Sequence, residues 1–110
     1  MRERKEVFNE YFKRIVNALK DGCWTIEEDF SLKTAGELDE NESVIKYNPI
    51  YGDRLLTLLH EGVHIICPRW HSEKLIERVA VCIYKNLTGK EKDYLLILFM
   101  CLLKGGKDDE

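Results

Sequence analysis

Residues 53–67 read Asp53-Arg54-Leu55-Leu56-Thr57-Leu58-Leu59-His60-Glu61-Gly62-Val63-His64-Ile65-Ile66-Cys67, and this stretch decides the fold. Its apolar residues recur at helical spacing. Asp53 offers an N-cap and Pro68 a stop, so a buried or half-buried helix is expected between them. Four residues of helix turn through about 400°, which stacks His60 and His64 on one face, within reach of a single metal ion. Glu61 stands beside the first histidine. Two neutral nitrogen donors, with a carboxylate able to take a proton from a metal-bound water, are what hydrolytic zinc chemistry requires. The plain alternative, a core helix with two hydrogen-bonded histidines, must bury two polar rings and a carboxylate in one apolar segment at a real desolvation cost.

Outward from this helix the pattern is mixed. Val7, Phe8, Tyr11, Phe12, Ile15, Val16 and Leu19 give residues 3–20 one apolar helical face, and Asp21-Gly22 closes the segment. Short alternation at 23–32, around Trp24, Ile26 and Phe30, and again at Ser43 to Tyr47 reads as strands. Between them the acidic stretch 35–42 is a turn, or a strand with a loop, whose charges need no ligand. Residues 48–52 form a loop into the motif helix. After the connection 68–71, Ser72 caps a helix over 73–88, with Gly89 just past its end, and a fourth helix covers 90–103. The expected fold is α+β: a small three-stranded, mainly antiparallel sheet packed with about four helices, among them an active-site helix and a following glutamate helix. Residues 1–103 form a single domain, and 104–110 are a flexible acidic C-terminal tail by composition.

The chain of 110 residues has room for one core. Its 17 basic and 20 acidic residues, net −3, are interspersed and leave no nucleic-acid footprint. The charged start Met1 to Glu6 is not followed by the apolar core of a secretory signal, so a cytoplasmic location is expected. The apolar run Tyr94 to Leu103 falls short of the roughly 20 residues of a membrane span and reads as a buried helix. Cys23, Cys67, Cys82 and Cys101 are too widely spaced for a C-x-x-C pair and are expected reduced, with Cys82 and Cys101 as small buried thiols. Cys67 follows His64 by three residues and is a minor candidate ligand, since Pro68 turns the chain away.

A catalytic zinc takes three protein ligands and keeps one position open. Glu73, Glu77 and His71 are the candidates for the third. A chain reversal at Pro68 would carry the start of the next helix past the end of the motif helix, where Glu73 can close the site. With Glu73-Lys74-Leu75-Ile76-Glu77-Arg78-Val79-Ala80 following the His-Glu-x-x-His helix, the chain resembles the gluzincin metallopeptidases. In length and element order it is similar to their minimal soluble members, the minigluzincins. That resemblance implies Zn2+ held by His60, His64 and Glu73, with Glu77 steadying the far ring nitrogen of a ligand histidine, where the family usually has aspartate. Metzincins use a third histidine after a glycine; His71 comes one residue late for that spacing and the glycine is absent.

The function so implied is a zinc-dependent metallopeptidase, a hydrolase in which Glu61 is the general base and the substrate is a peptide or protein. Two readings of the tail stand open: latency as synthesised, in a zymogen-like form, with Asp108-Asp109-Glu110 shielding the cleft, or an idle solvated charge run. The resemblance places Ser43 to Tyr47 as the edge strand that holds the substrate main chain. His71, Tyr47 and Tyr84 are candidate oxyanion donors. Two other readings stand beside this one: a non-catalytic, zinc-stabilised binding or interaction module, and a metal-free helical interaction domain. Glu61 discriminates, because a site that only staples helices has no use for a carboxylate there.

Overall fold

Asp53 caps the motif helix as its sequence requires, its side chain accepting from the backbone N–H groups of Leu55 and Leu56 at 2.9 and 3.0 Å. The computed structural model describes residues 2–103. In chain order the elements are α1 (Arg2–Asp21), β1 (Thr25–Glu28), β2 (Gly36–Asp39), β3 (Val44–Tyr47), α2 (Arg54–Ile66), α3 (Glu73–Asn86) and α4 (Gly89–Leu102). The α+β class is as expected, with four helices and one three-stranded sheet. The tail 104–110 lies outside the described residues.

The sheet itself differs in one respect. Its order is β1-β3-β2, with β1 parallel and β2 antiparallel to β3, so it is mixed rather than mainly antiparallel. Composition explains the order. Val44, Ile45 and Tyr47 are all buried, as a strand covered on both sides must be. Gly36-Glu37-Leu38-Asp39 has only one large apolar residue and takes an edge. The strand Ser43 to Tyr47, read from sequence as the open edge, is therefore the central one, and β2 is the edge beside α2. At the other side of the sheet Leu103 bridges to Ile26 of β1.

Helix α1 packs across the back of α2. A methyl group at Gly62 would come within 2.5 Å of Cγ2 of Ile15, a fully buried branched side chain with little freedom to turn away. Gly62→Ala is thus expected to lower stability: overpacking costs about 1–3 kcal/mol, and the gain in helix propensity returns only about 1. A chemical denaturation midpoint unchanged or raised in this variant would show that α1 can shift.

Two details at the C-terminal end depart from the sequence reading. Gly89 does not follow α3 but begins α4; Thr88 is the N-cap, and Thr88 and Glu91 form a reciprocal capping box that sets the start of the helix. Helix α4 buries Leu95, Leu98 and Phe99 but leaves Leu96, Ile97, Met100 and Cys101 exposed, so it is half-buried and Cys101 is not a core thiol. All four cysteines are free. No helix among the described residues is long and apolar enough to cross a membrane.

Candidate metal centre and cleft

His60 and His64 project from one face of α2 with ring centroids 5.2 Å apart. The chain then reverses, as Pro68 and its neighbours suggested. Trp70 closes a turn onto the carbonyl of Cys67, and its ring meets Tyr11 of α1 edge-on at 6.3 Å. Ser72 caps α3 by accepting from Leu75 N–H, which places Glu73 in the first turn. Helix α3 runs back along α2, so Glu73 and Glu77, one turn apart, meet the two histidines, themselves one turn apart.

The contacts are specific about which atom meets which. Nε2 of His60 lies 3.0 Å from Oε1 of Glu73, and Nε2 of His64 lies 3.3 and 3.2 Å from Oε1 and Oε2 of the same carboxylate. Nδ1 of His60 lies 2.7 Å from Oε1 of Glu77. A hydrogen bond from Nδ1 to Glu77 leaves Nε2 of a neutral His60 with a lone pair rather than a proton. That lone pair then faces a carboxylate oxygen, and so the arrangement needs a cation between them: a second proton on the ring, or a metal ion. One ligand atom from each of His60, His64 and Glu73 falls within a 4.8 Å span, and this group could hold a metal. Ligand atoms of a tetrahedral zinc with bonds near 2.0–2.1 Å stand about 3.3 Å apart. The donor spacing and the donor types, two imidazoles and one carboxylate, fit that ion. Cys67 and His71 contribute no atom to the group, and Glu77 supports His60 from the far side of its ring.

Burial sets the electrostatics. Burial alone would lower the His60 pKa, but the hydrogen bonds to Glu77 and Glu73 outweigh it and raise the value above the ordinary 6.5. The Glu73 carboxyl is likewise pushed up by its partial burial and pulled further down by His60 and His64, ending below the usual carboxylate value. In the metal-free protein the His60 proton therefore stabilises the fold. Its contribution is complete below pH 6.5, the unfolded value, and is lost as the pH rises through the raised folded value. Melting of chelated protein should show this loss as the pH rises above 6.5, while zinc binding, which takes the same lone pair, should strengthen over the same interval. A chelated protein that becomes more stable with rising pH there would contradict the sign.

Glu61 occupies a different position. It is 5% exposed, and no described group donates a hydrogen bond to its carboxylate. Burial pushes its pKa up, with His60 and His64 pulling in the opposite direction. Its Oε2 would lie 2.9 Å from a methyl group placed on Gly36, and Thr57 Cγ2 would lie at 2.6 Å, so glycine is what lets β2 approach α2 this closely. Glu61, both histidines, Glu73 and Glu77 open into a cleft of about 680 Å³. Thr34, Ala35, Gly36, Glu37 and Leu38 form one wall along β2, and Tyr51, Gly52, Asp53, Leu56 and Thr57 close one end.

Several of these residues carried no sequence signal as site residues. Asn48, 1% exposed, donates from Nδ2 to the carbonyls of Leu32 and Phe30 and accepts at Oδ1 from Ile50 N–H, tying the two cleft loops together. Tyr51 and β2 line the cleft, although the sequence read the first only as loop and the second as a solvated turn or a strand with a loop. Gly36 was the available clue, as an isolated glycine in a strand marks close approach of another element. The candidate oxyanion donors His71, Tyr47 and Tyr84 do not line the cleft. Tyr47 is buried against Phe99, and the Tyr84 ring carries Lys92 over its face.

Comparison with family models, with curated proteins and with solved structures found no match to this chain.

Proposed function

We propose that the chain is a zinc-dependent peptidase of gluzincin type. The observation that carries this reading is Glu61: a buried carboxylate to which no described residue donates a hydrogen bond, beside a group of three candidate ligands, opening into a cleft beside an edge of β2 that no described strand pairs. A zinc that merely staples helices closes its shell with a fourth protein ligand. Here three donors gather at a cleft.

His60, His64 and Glu73 would hold the ion, with Glu77 fixing the His60 tautomer and ring orientation. When bound, zinc supplies an acidified water and a Lewis acid for the scissile carbonyl. Glu61 takes a proton at its carboxylate and returns it to the departing amine, and its raised pKa suits both halves of that transfer. The outer edge of β2 offers main-chain hydrogen bonds to an extended peptide, giving affinity with little sequence preference. Hydrolysis of an unfolded protein substrate, lost on chelation and regained with zinc, tests the proposal. Absence of hydrolysis in a zinc-loaded protein that also lacks residues 105–110 would refute it.

Latency belongs to the same reading and rests on the tail, outside the described residues. Ending the chain at Lys104 should raise hydrolysis several-fold, measured as initial rates on the same substrate. Equal rates with and without the tail would remove latency while leaving the peptidase reading intact.

A further inference from the structure

Five of the described residues lining the cleft are acidic, Glu37, Asp53, Glu61, Glu73 and Glu77, and none of the described ones is lysine or arginine. The chain as a whole is nearly balanced, with 17 basic against 20 acidic residues. One divalent ion at the three-donor group offsets only two of these five charges. Asp53 is engaged at the start of α2, Glu73 and Glu77 with the histidines, and Glu61 is buried, faces the cleft and accepts no hydrogen bond from a described residue. Glu37 is exposed on the edge strand.

The register of the sheet shows what Glu37 would meet. Glu27 of β1, Lys46 of β3 and Glu37 of β2 are opposite one another, so their side chains share one face and alternate in sign across the three strands. One lysine thus stands between two glutamates. The next place in that row is the outer edge of β2, where no described strand pairs. A side chain on an added strand opposite Glu37 would lie about 4.5–5.5 Å from it, Cβ to Cβ.

We propose that the cleft selects extended peptide segments bearing lysine or arginine, with Glu37 as the specificity residue that the basic side chain meets. This inference rests on the peptidase reading for the seat of the peptide. It adds to it a substrate class: basic segments, seated so that the charge alternation Glu27-Lys46-Glu37 continues into the substrate. Because the side chains of β2 alternate, and Gly36 faces α2, Glu37 reads the peptide on the face turned away from the metal group.

The test is binding, measured without turnover on zinc-loaded full-length protein carrying Glu61→Gln. Three fluorescent octapeptides, identical except for two lysines, two glutamines or two glutamates, are titrated by anisotropy. The lysine peptide is expected to bind at least about tenfold more tightly than the glutamate peptide at low salt, with the difference shrinking as salt screens the cleft. Adding Glu37→Gln should reduce the lysine preference about two- to fivefold, and Glu37→Lys should reduce it further, without loss of zinc. Equal affinities overturn the inference, as does a lysine preference that ignores both Glu37 variants or a failure of all three peptides to bind. Hydrolysis of the glutamine peptide by protein retaining Glu61 is scored separately, so the peptidase reading can survive each of these failures.

Discussion

Replacing Glu61 by glutamine should lower peptide hydrolysis by about 10²–10⁴-fold and leave the zinc content unchanged. The separation of the two readouts follows from geometry. The ligand-competent atoms belong to His60, His64 and Glu73, and the Glu61 carboxylate is not among them. Glutamine keeps the shape of the side chain, so the approach of β2 at Gly36 is undisturbed, but it cannot accept the proton. Stability should not fall either. Burial already penalises the charged form of Glu61, and no hydrogen bond from a described residue is lost with it. Elemental analysis, initial rates and thermal melting on the same preparation check all three points. Zinc lost together with activity would mean that Glu61 serves the metal site structurally, which is the interaction-module reading.

How much of this could be read beforehand differs by element, for physical reasons. The motif helix was legible because its signals are local: helical period, Asp53 before it, Pro68 after it. The same holds for Ser72, whose hydroxyl caps α3 and thereby fixes where Glu73 begins. Strand order was not legible, since it depends on which strand the rest of the chain covers, a non-local outcome. Residues 36–39 read equally as a solvated acidic turn or as a strand with a loop, because their place comes from the glycine that lets them lie against α2, not from apolar alternation. Helix α4 shows the opposite failure. Its apolar run from Tyr94 to Leu103 suggested a buried helix, yet Ile97 is 61% exposed because the small core has only one side to offer it. The sequence thus offered the two histidines and, through the resemblance, Glu73 as residues that could hold a metal together, whereas the cleft they open into could not be read.

Glu73→Ala should abolish stoichiometric zinc binding while hardly affecting the metal-free fold, and the contrast between the two conditions is the informative part. The Glu73 side chain is 71% exposed at the start of α3, where Ser72 rather than Glu73 makes the cap. Its ion pairs with His60 and His64 are therefore solvent-screened, and surface changes of this kind usually fall within about 0.5 kcal/mol. In chelator, wild type and variant should melt nearly together. In zinc they should part. A ligand at a thousandfold excess over its dissociation constant adds about 4 kcal/mol to the folded state, and only the protein with all three donors receives it. Glu77→Gln provides the graded control. It leaves all three donors in place but weakens the 2.7 Å contact that orients His60, so zinc should bind about 10–100-fold more weakly and still saturate. If Glu73→Ala retained one tightly held zinc, the third donor would have to come from elsewhere in the cleft, and Glu77, already at the His60 ring, would be the first to test. If all three proteins melted alike with and without zinc, the convergence of Nε2, Nε2 and carboxylate would be held by protons, as imidazolium–carboxylate pairs, and the peptidase reading would fall with the metal.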